Sequence, residues 1–277
     1  VAAGVAAILG PLVVQPHATA LITDFDGTLS SIVEDPSSAR PLDGVPALLD
    51  RLSKRFGVVA VVSGRPVSFL VEQLSLHGTG VPRVRLFGLY GMEEVGPDGS
   101  TRLTPTAQPW LPVVMDVATR LRADVPNGVL VELKGAAVTV HWRRAHGAEP
   151  WVAGRVAEEM LRTGLVPHAG RASIELRPPL DIDKGTVVRQ LTAERRAACF
   201  FGDDLGDLPA FAALARRADE DGTDVVSVAV RDVESAPEIV MAADIVVEGP
   251  EGARAILAWL EGAAAPAGSG EREAPED

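Results

Sequence analysis

The chain has 277 residues, 47% of them hydrophobic and 23% charged, a balance that suits a globular protein of one large domain or two smaller ones. Its net charge of −12 repels nucleic acid and anionic membrane surfaces, so neither is expected as a partner, although a local cluster of Lys and Arg can still hold a small anionic substrate. The single cysteine, Cys199, lies in the apolar run AACFFGD; it has no internal disulfide partner, reads as a small buried hydrophobe, and fits a reducing, cytoplasmic compartment.

The opening VAAGVAAILGPLVV has no basic residue before it, is interrupted by Gly and Pro, and is too short to span a bilayer. It predicts a lead-in helix, with a trimmed targeting segment as the alternative. ALITD (20–24) predicts a buried strand, VPALLDRLSKRF (45–56) an amphipathic helix, and GVVAVVS (57–63) a second buried strand. RPVSFLVEQLS (65–75) predicts a helix with Pro66 in its first turn, and VRLFG (84–88) a third strand. EEVGPDGSTRL (93–103) carries a Pro-Asp-Gly turn between two short arms, the pattern of a hairpin.

From 105 to 177 the grammar changes. Two helix-like segments, PWLPVVMDVATRLRAD and PWVAGRVAEEMLRTG, each precede a pair of alternating strands: GVLVELK with AAVTVHWRR, then LVPHA with ASIELRP. This α-β-β-α-β-β order predicts a small antiparallel sheet with helices on one face, inserted as a separate domain. After residue 183 the first grammar returns: KGTVVRQLTAER, the strand AACFFGD, GDLPAFAALARR, the strands DVVSVAV and ADIVVE, and GARAILAWLEG. Near-continuous apolar strands between helices imply a parallel sheet covered on both faces. The expected fold is therefore α/β, a Rossmann-like core over 1–104 and 178–261 with an α/β cap over 105–177. The Ala-, Pro- and acid-rich stretch 262–277 has nothing to bury and is expected to be disordered.

Polar signals stand at the ends of three predicted parallel strands: Asp24 with Asp26, Ser63 in VVSGRP, and Asp203, Asp204 and Asp207 in GDDLGD. Ligands bind beyond the carboxyl ends of such strands, so these residues should meet in one crevice. Lys184 in DIDKG opens the helix leading to one of those strands and can reach the same place. Clustered carboxylates suit a hard cation with oxygen ligands, and Mg²⁺ is the usual one beside phosphate, held by Asp24, Asp203, Asp207 and the backbone carbonyl of Asp26. With that charge and Lys184 near it, Asp24 stays ionised and can attack phosphorus. Asp26 would protonate the leaving oxygen and then deprotonate the hydrolytic water. Ser63 would hold the transferring phosphoryl oxygens, and Arg65 is a further substrate-binding candidate at the crevice mouth.

DFDGTL, VVSGRP, the lysine of DIDKG and GDDLGD resemble the four signature motifs of the haloacid-dehalogenase superfamily of phosphohydrolases, and the inserted segment resembles that superfamily's α/β cap. DFDGTLSSIVEDPSSARP, GLYGME, VELKGAAVTVHWR, IELRPPLDIDKG and GDDLGD are similar, more narrowly, to the trehalose-6-phosphate phosphatases, over about residues 18–260. The resemblance implies Mg²⁺-dependent hydrolysis of trehalose 6-phosphate through an aspartyl phosphate, with a small sugar phosphate as the partner; the oligomeric state is left open, a monomer being plausible.

Alternation gives the cap strands a polar face of Glu132, Lys134, Thr139, His141, Arg143, Glu175 and Arg177. On spacing alone this face is as much a solvated surface as a site. The likeness of ELK, HWR and ELRP to the family implies sugar recognition by Glu132, Lys134, Arg143 and Glu175. Two positions depart from the family pattern: Tyr90 stands where His is usual and Gly206 where Thr is common, which touches substrate contacts rather than the reaction. His77, His146 and His168 read as surface residues in loop-like contexts, His17 just before the first strand carries no signal, and Trp110, Trp142, Trp151 and Trp259 read as packing residues. The competing readings are another sugar-phosphate phosphatase of the same cap type, acting on sucrose phosphate or a mannosyl-glycerate phosphate, a phosphorylated receiver module, and a catalytically silent interaction domain.

Overall fold

A computed structural model describes residues 1–33, 35–74, 83–96, 98–170, 172–233 and 235–264. The lead-in helix α1 (Ala3–Val14) buries Leu9 and Leu12. It is followed by β1 (Thr19–Thr23), buried at every position as a strand covered on both faces must be. Helix α2 (Val45–Ser53) buries Val45, Leu48, Leu49 and Leu52, an i, i+3, i+4, i+7 stripe. Strand β2 (Val58–Val62), helix α3 (Val67–Leu74) and strand β3 (Arg85–Gly88) follow. Then come β4 (Glu93–Val95) and β5 (Thr101–Leu103), antiparallel with Glu93 opposite Leu103, as the hairpin pattern predicts; Pro97 and His77 lie outside the described residues.

The middle segment forms α4 (Leu111–Ala123), β6 (Leu130–Lys134), β7 (Ala137–His141), α5 (Glu149–Thr163), β8 (Val166–Gly170) and β9 (Ser173–Arg177). The chain continues through α6 (Lys184–Thr192), β10 (Ala197–Gly202), α7 (Leu208–Asp221), β11 (Asp224–Arg231), α8 (Pro237–Met241), β12 (Ile245–Glu248) and α9 (Gly249–Ala263). The five-residue α8 is too short to carry a periodic signal, and the sequence reading lacks it. Helix α9 runs into the stretch expected to be disordered, ending at Ala263; residues from 265 onward lie outside the described ones.

The chain divides into two compact units. The first takes Val1–Ser63, Val71–Leu86 and the residues from Asp183 onward; the second takes Gly64–Leu70 and Phe87–Ile182. The expected cap, 105–177, lies wholly in the second unit, which also takes 64–70 and 87–104. The backbone explains this grouping: Leu89 N–H donates to Arg65 O at 3.0 Å, Val67 N–H to the Glu93 carboxylate at 2.9 Å, and Thr104 N–H to Met92 O at 2.8 Å.

In the first unit β12, β11, β10, β1 and β2 lie side by side and parallel, with Leu21 level with both Cys199 and Val59. Cys199 is buried and unpaired, as its apolar run predicts. In the second unit the antiparallel sheet has the order β6-β7-β9-β8. Its apolar face, Val131, Val138, Val140 and Leu176, packs with Val114, Val117 and Leu121 of α4 and Val152 and Val156 of α5; Trp110, Trp142 and Trp151 border this core.

One charged pair is set into that core. Glu159 of α5 is fully buried, and the Arg120 guanidinium of α4 grips it in a fork, Nε to Oε1 at 2.9 Å and Nη2 to Oε2 at 2.6 Å. Such a pair adds little net stability, but removing Arg120 leaves the buried Glu159 facing only the more distant Arg162 Nε at 3.9 Å among the described residues. Arg120→Ala is therefore expected to destabilise the protein by about 3 kcal/mol in urea unfolding. A loss below about 1 kcal/mol, the scale of a surface pair, would mean water replaces the guanidinium.

Candidate functional site

The site in the first unit is built by strand ends. Parallel pairing aligns Thr23 of β1 with Val61 of β2 and with Phe201 of β10, so Asp24, Ser63 and Asp203 leave the sheet at its carboxyl edge. Asp24 N–H donates to Phe201 O at 2.8 Å, which pins the first acid to the neighbouring strand. Lys184 arrives from the first position of α6, whose N-terminus Asp183 caps by accepting the Thr186 N–H at 2.7 Å. The Lys184 Nζ lies 2.9 Å from Asp24 Oδ1 and 2.6 Å from Asp207 Oδ1, and all three side chains are buried.

Asp207 is held from its other oxygen. Its Oδ2 accepts the backbone N–H of Asp203 at 2.9 Å and of Asp204 at 3.2 Å, which folds GDDLGD back on itself. Two glycines make room for the acids. A Cβ on Gly27, whose φ is +73°, would fall 2.0 Å from Asp203 Oδ2, and one on Gly202 would fall 2.4 Å from Asp207 Cγ. Gly206 N–H donates to Asp204 Oδ1 at 2.8 Å, and a Cβ there would come within 3.0 Å of the same oxygen.

Crowding and burial set the electrostatics. Burial pushes the Asp24 carboxyl up to about 8, with Lys184 pulling against it and Asp207 adding to it. Asp203 is raised well above the usual carboxylate range, first by burial and then by Asp24, and Asp207 is raised by burial against the pull of Lys184. Burial alone would lower Lys184, yet Asp207 and Asp24 hold it well above its ordinary value. One lysine thus faces several acids, and the cluster carries excess negative charge when ionised. Asp24, Asp203 and Asp207 can each bring one oxygen within 4.8 Å of the others, and Asp203 Oδ1 is buried without a hydrogen-bond partner. Hard oxygen donors, converging and one of them orphaned, fit a metal cation. The Asp26 carboxylate is not among these three. Asp26 is half-buried and lies just past the strand, in a bridge with Ser30.

A second polar cluster occupies one face of the antiparallel sheet. Register places Glu132, Thr139, Glu175 and His168 in one row across its four strands. Glu175 Oε1 accepts from Thr139 Oγ1 at 3.0 Å and from Lys134 Nζ at 3.4 Å, and its Oε2 accepts from Arg177 Nε. Glu132 Oε2 meets His141 Nε2 at 2.9 Å and Lys134 Nζ at 3.6 Å. Burial works to raise both carboxyls, but Lys134 and Arg177 hold Glu175 below the usual range, and His141, Lys134 and Arg65 do so for Glu132.

Of the residues the sequence singles out, Asp24, Asp203, Asp207 and Lys184 meet in one cluster, and Glu132, Lys134 and Glu175 meet in the other. Arg65 belongs with the second unit: its guanidinium stacks over Phe69 at 4.6 Å and its charge acts on Glu132. Arg143 lies in the turn beyond β7, which ends at His141, because the chain leaves the sheet there. His168 is a strand residue of β8 opposite Glu175, which corrects its reading as a loop histidine, while His146 is exposed in a turn. Sequence reasoning put Arg177 on the polar face without assigning it a role, and attached to Tyr90 no contact within the protein. Nothing local signals that the Arg177 guanidinium lies 3.4 Å from the Tyr90 ring centroid.

A parallel sheet with an acidic carboxyl edge, carrying an inserted antiparallel α/β unit, is the fold of haloacid-dehalogenase-like hydrolases. One such hydrolase from Bacteroides thetaiotaomicron superposes with a TM-score of 0.60 at 15% identity, over 87% of this chain and 99% of its own. The crystal structure of a trehalose-6-phosphate phosphatase related protein superposes with a TM-score of 0.73 at 25% identity, over 87% of this chain and 97% of its own. The family model described as trehalose-phosphatase matches residues 22–242, and the chain belongs to that family. A trehalose-phosphate phosphatase of Mycobacterium avium is 38% identical over 208 residues, 70% of this chain and 51% of the relative. The chain spans about half the length of the curated relatives it matches.

Cation binding has a readout apart from turnover. Adding magnesium chloride to chelator-treated protein is expected to raise Tm, because the ion binds the folded acids and not the unfolded chain. In Asp203→Asn most of that rise should vanish while the metal-free Tm does not fall, since one of the three crowded carboxyl groups is replaced by a neutral amide. An equal rise in both proteins, followed by circular dichroism, would remove Asp203 from the ion's ligands.

Proposed function

We propose that the chain hydrolyses trehalose 6-phosphate to trehalose and inorganic phosphate. The observation that carries this reading is the buried Asp24–Lys184–Asp207 arrangement, 2.9 and 2.6 Å, in a member of the trehalose-phosphatase family. An Asp24 oxygen attacks phosphorus as the bond from phosphorus to the sugar oxygen breaks. The departing oxygen takes a proton from Asp26, and Asp24 is left as its acyl phosphate. Asp26 then accepts a proton from a water whose oxygen attacks the phosphorus, which releases phosphate and restores the Asp24 carboxylate. Lys184 pulls Asp24 toward its charged form and balances the phosphoryl oxygens, and Ser63 holds one of them. Asp24, Asp203 and Asp207, with the Asp26 carbonyl, would hold Mg²⁺, which supplies positive charge against the transferring phosphoryl group.

Sugar recognition falls to Glu132, Lys134 and Glu175, with Arg65 and Arg143 as further contacts. Paired acids and bases suit a partner rich in hydroxyls, since carboxylates accept and ammonium and guanidinium groups donate. Cytoplasmic residence fits the single buried thiol.

The deciding experiment is phosphate release from a panel of sugar phosphates that includes trehalose 6-phosphate, sucrose phosphate and a mannosyl-glycerate phosphate. Trehalose 6-phosphate should be turned over fastest. Preference for another member would transfer the assignment to that sugar. In Asp24→Asn turnover of every member should drop to background, because an amide cannot form the acyl phosphate; activity retained in folded mutant protein would remove Asp24 as nucleophile.

The polar face gives a separate expectation. Glu132→Ala or Lys134→Ala should lower kcat/KM for trehalose 6-phosphate by roughly 1–3 kcal/mol of transition-state stabilisation, the scale of a lost charged hydrogen bond. Hydrolysis of a small phosphate ester that carries no sugar should change little. Equal losses on both substrates would mean that these residues support the fold of their sheet.

A further inference from the structure

Three consecutive residues, Leu89, Tyr90 and Gly91, hold positive φ values of 49°, 61° and 110°. Glycine adopts this region freely, but leucine and tyrosine do so at a cost, and strained residues of this kind concentrate where a side chain must point one way. The strain here delivers an aromatic ring. Its face receives the Arg177 guanidinium 3.4 Å from the ring centroid, and its edge lies against Gly64, where an added Cβ would come within 2.5 Å of Tyr90 Oη. Arg177 in turn donates through Nε to Glu175 Oε2.

We propose that Tyr90 is a positioning residue: its ring face fixes the Arg177 guanidinium, and Arg177 fixes the Glu175 carboxylate for a sugar hydroxyl. The proposal rests on the function assigned above for its substrate, while its structural part stands on this contact chain alone. Glu175 is 6% exposed and receives a donor from every strand of its row that can supply one: Lys134 on β6 and Thr139 on β7 at Oε1, Arg177 on β9 at Oε2, with His168 of β8 opposite. The other charges nearby are Glu132, paired with His141 and Lys134, and Arg65, which acts on Glu132. Lys134 is shared between the two glutamates, and Thr139 is neutral. Arg177 is thus the one full charge in this set bonded to Glu175 without also bridging to Glu132. A guanidinium held over a ring face loses little freedom when it bonds, so the carboxylate it holds is already ordered before a ligand arrives.

The test uses the full chain with Tyr90→Phe, Tyr90→Leu and Arg177→Lys. Carbon-detected NMR follows the titration of the Glu175 carboxyl, which needs no substrate. Loosening Arg177 should shift the Glu175 midpoint upward by roughly half a pH unit in Tyr90→Leu and leave it unchanged in Tyr90→Phe, which keeps the ring. Arg177→Lys, which keeps the charge but not the planar group, should shift it in the same direction as Tyr90→Leu, and it decides the matter if Tyr90→Leu fails to fold. In kinetics, Tyr90→Leu should raise KM for trehalose 6-phosphate about tenfold with kcat on a sugar-free phosphate ester unchanged. An unmoved Glu175 titration in both Tyr90→Leu and Arg177→Lys overturns the proposal, as does a Tyr90→Phe variant as impaired as Tyr90→Leu. If the wild-type chain does not hydrolyse trehalose 6-phosphate, the assigned function fails, and the Glu175 titration still decides the positioning role.

Discussion

Everything at the acidic edge depends on one ammonium group. Lys184 touches Asp24 at 2.9 Å and Asp207 at 2.6 Å with all three side chains buried, so none of them can exchange its partner for water. A buried acid without such a partner takes up a proton, and a buried lysine without one gives its proton away. Because the two demands meet, the lysine remains charged while the acids remain short of positive charge. That deficit is chemically useful. It leaves Asp24, Asp203 and Asp207 as converging oxygen donors able to take a cation, and burial raises the Asp24 carboxyl against the pull of Lys184.

The residues around this centre are explained by the same crowding. Gly27 and Gly202 stand where a side chain would collide with Asp203 or Asp207, so the acids approach the backbone as closely as glycine allows. The loop after β10 spends two of its backbone N–H groups on Asp207 Oδ2. Those bonds favour the charged carboxylate and partly offset the burial that raises it. Fixed donors of this kind cost no reorganisation when the charge at the site changes, unlike mobile water.

Much of this was legible from the chain. Buried parallel strands announce themselves as unbroken apolar runs, as in TALIT and AACFFG, and the acids that end them are read at once as a carboxyl edge. The antiparallel sheet was legible from its alternation, which put Glu132, Lys134, Thr139 and Glu175 on one face and Val131, Val138, Val140 and Leu176 on the other, as the packing has it. Contacts that join distant segments without a repeating pattern were not. The stacking of Arg177 on Tyr90 spans residues that lie in separate strands and turns, and it depends on a backbone conformation that a tyrosine rarely adopts. LVPHA was legible as a short strand, yet His168 within it was taken for a loop histidine; its place opposite Glu175 depends on the pairing of β8 with β9, which no local pattern announces.

The motif SGRP shows how a short string can serve two compact units. Ser63 is the last residue of the first unit's opening segment, while Gly64 and Arg65 belong to the second. The cause is a buried carboxylate. Glu93 is raised by its burial, yet accepts the Val67 N–H at 2.9 Å, one of the unsatisfied donors at the start of α3. Leu89 N–H to Arg65 O adds a second tie at 3.0 Å. A negative group at a helix N-terminus is favourable both as a hydrogen bond and toward the helix dipole, so Glu93 holds the first turn of α3 against the β3–β4 turn. Gly88 permits the approach, since a Cβ there would lie 2.5 Å from Val67 N. Arg65 is therefore ordered by the same turn that carries Tyr90, and its charge acts on Glu132. Lys184 pairs with Asp24 and Asp207 at the strand ends of the first unit, and Lys134 and Arg177 pair with Glu175 in the antiparallel sheet of the second.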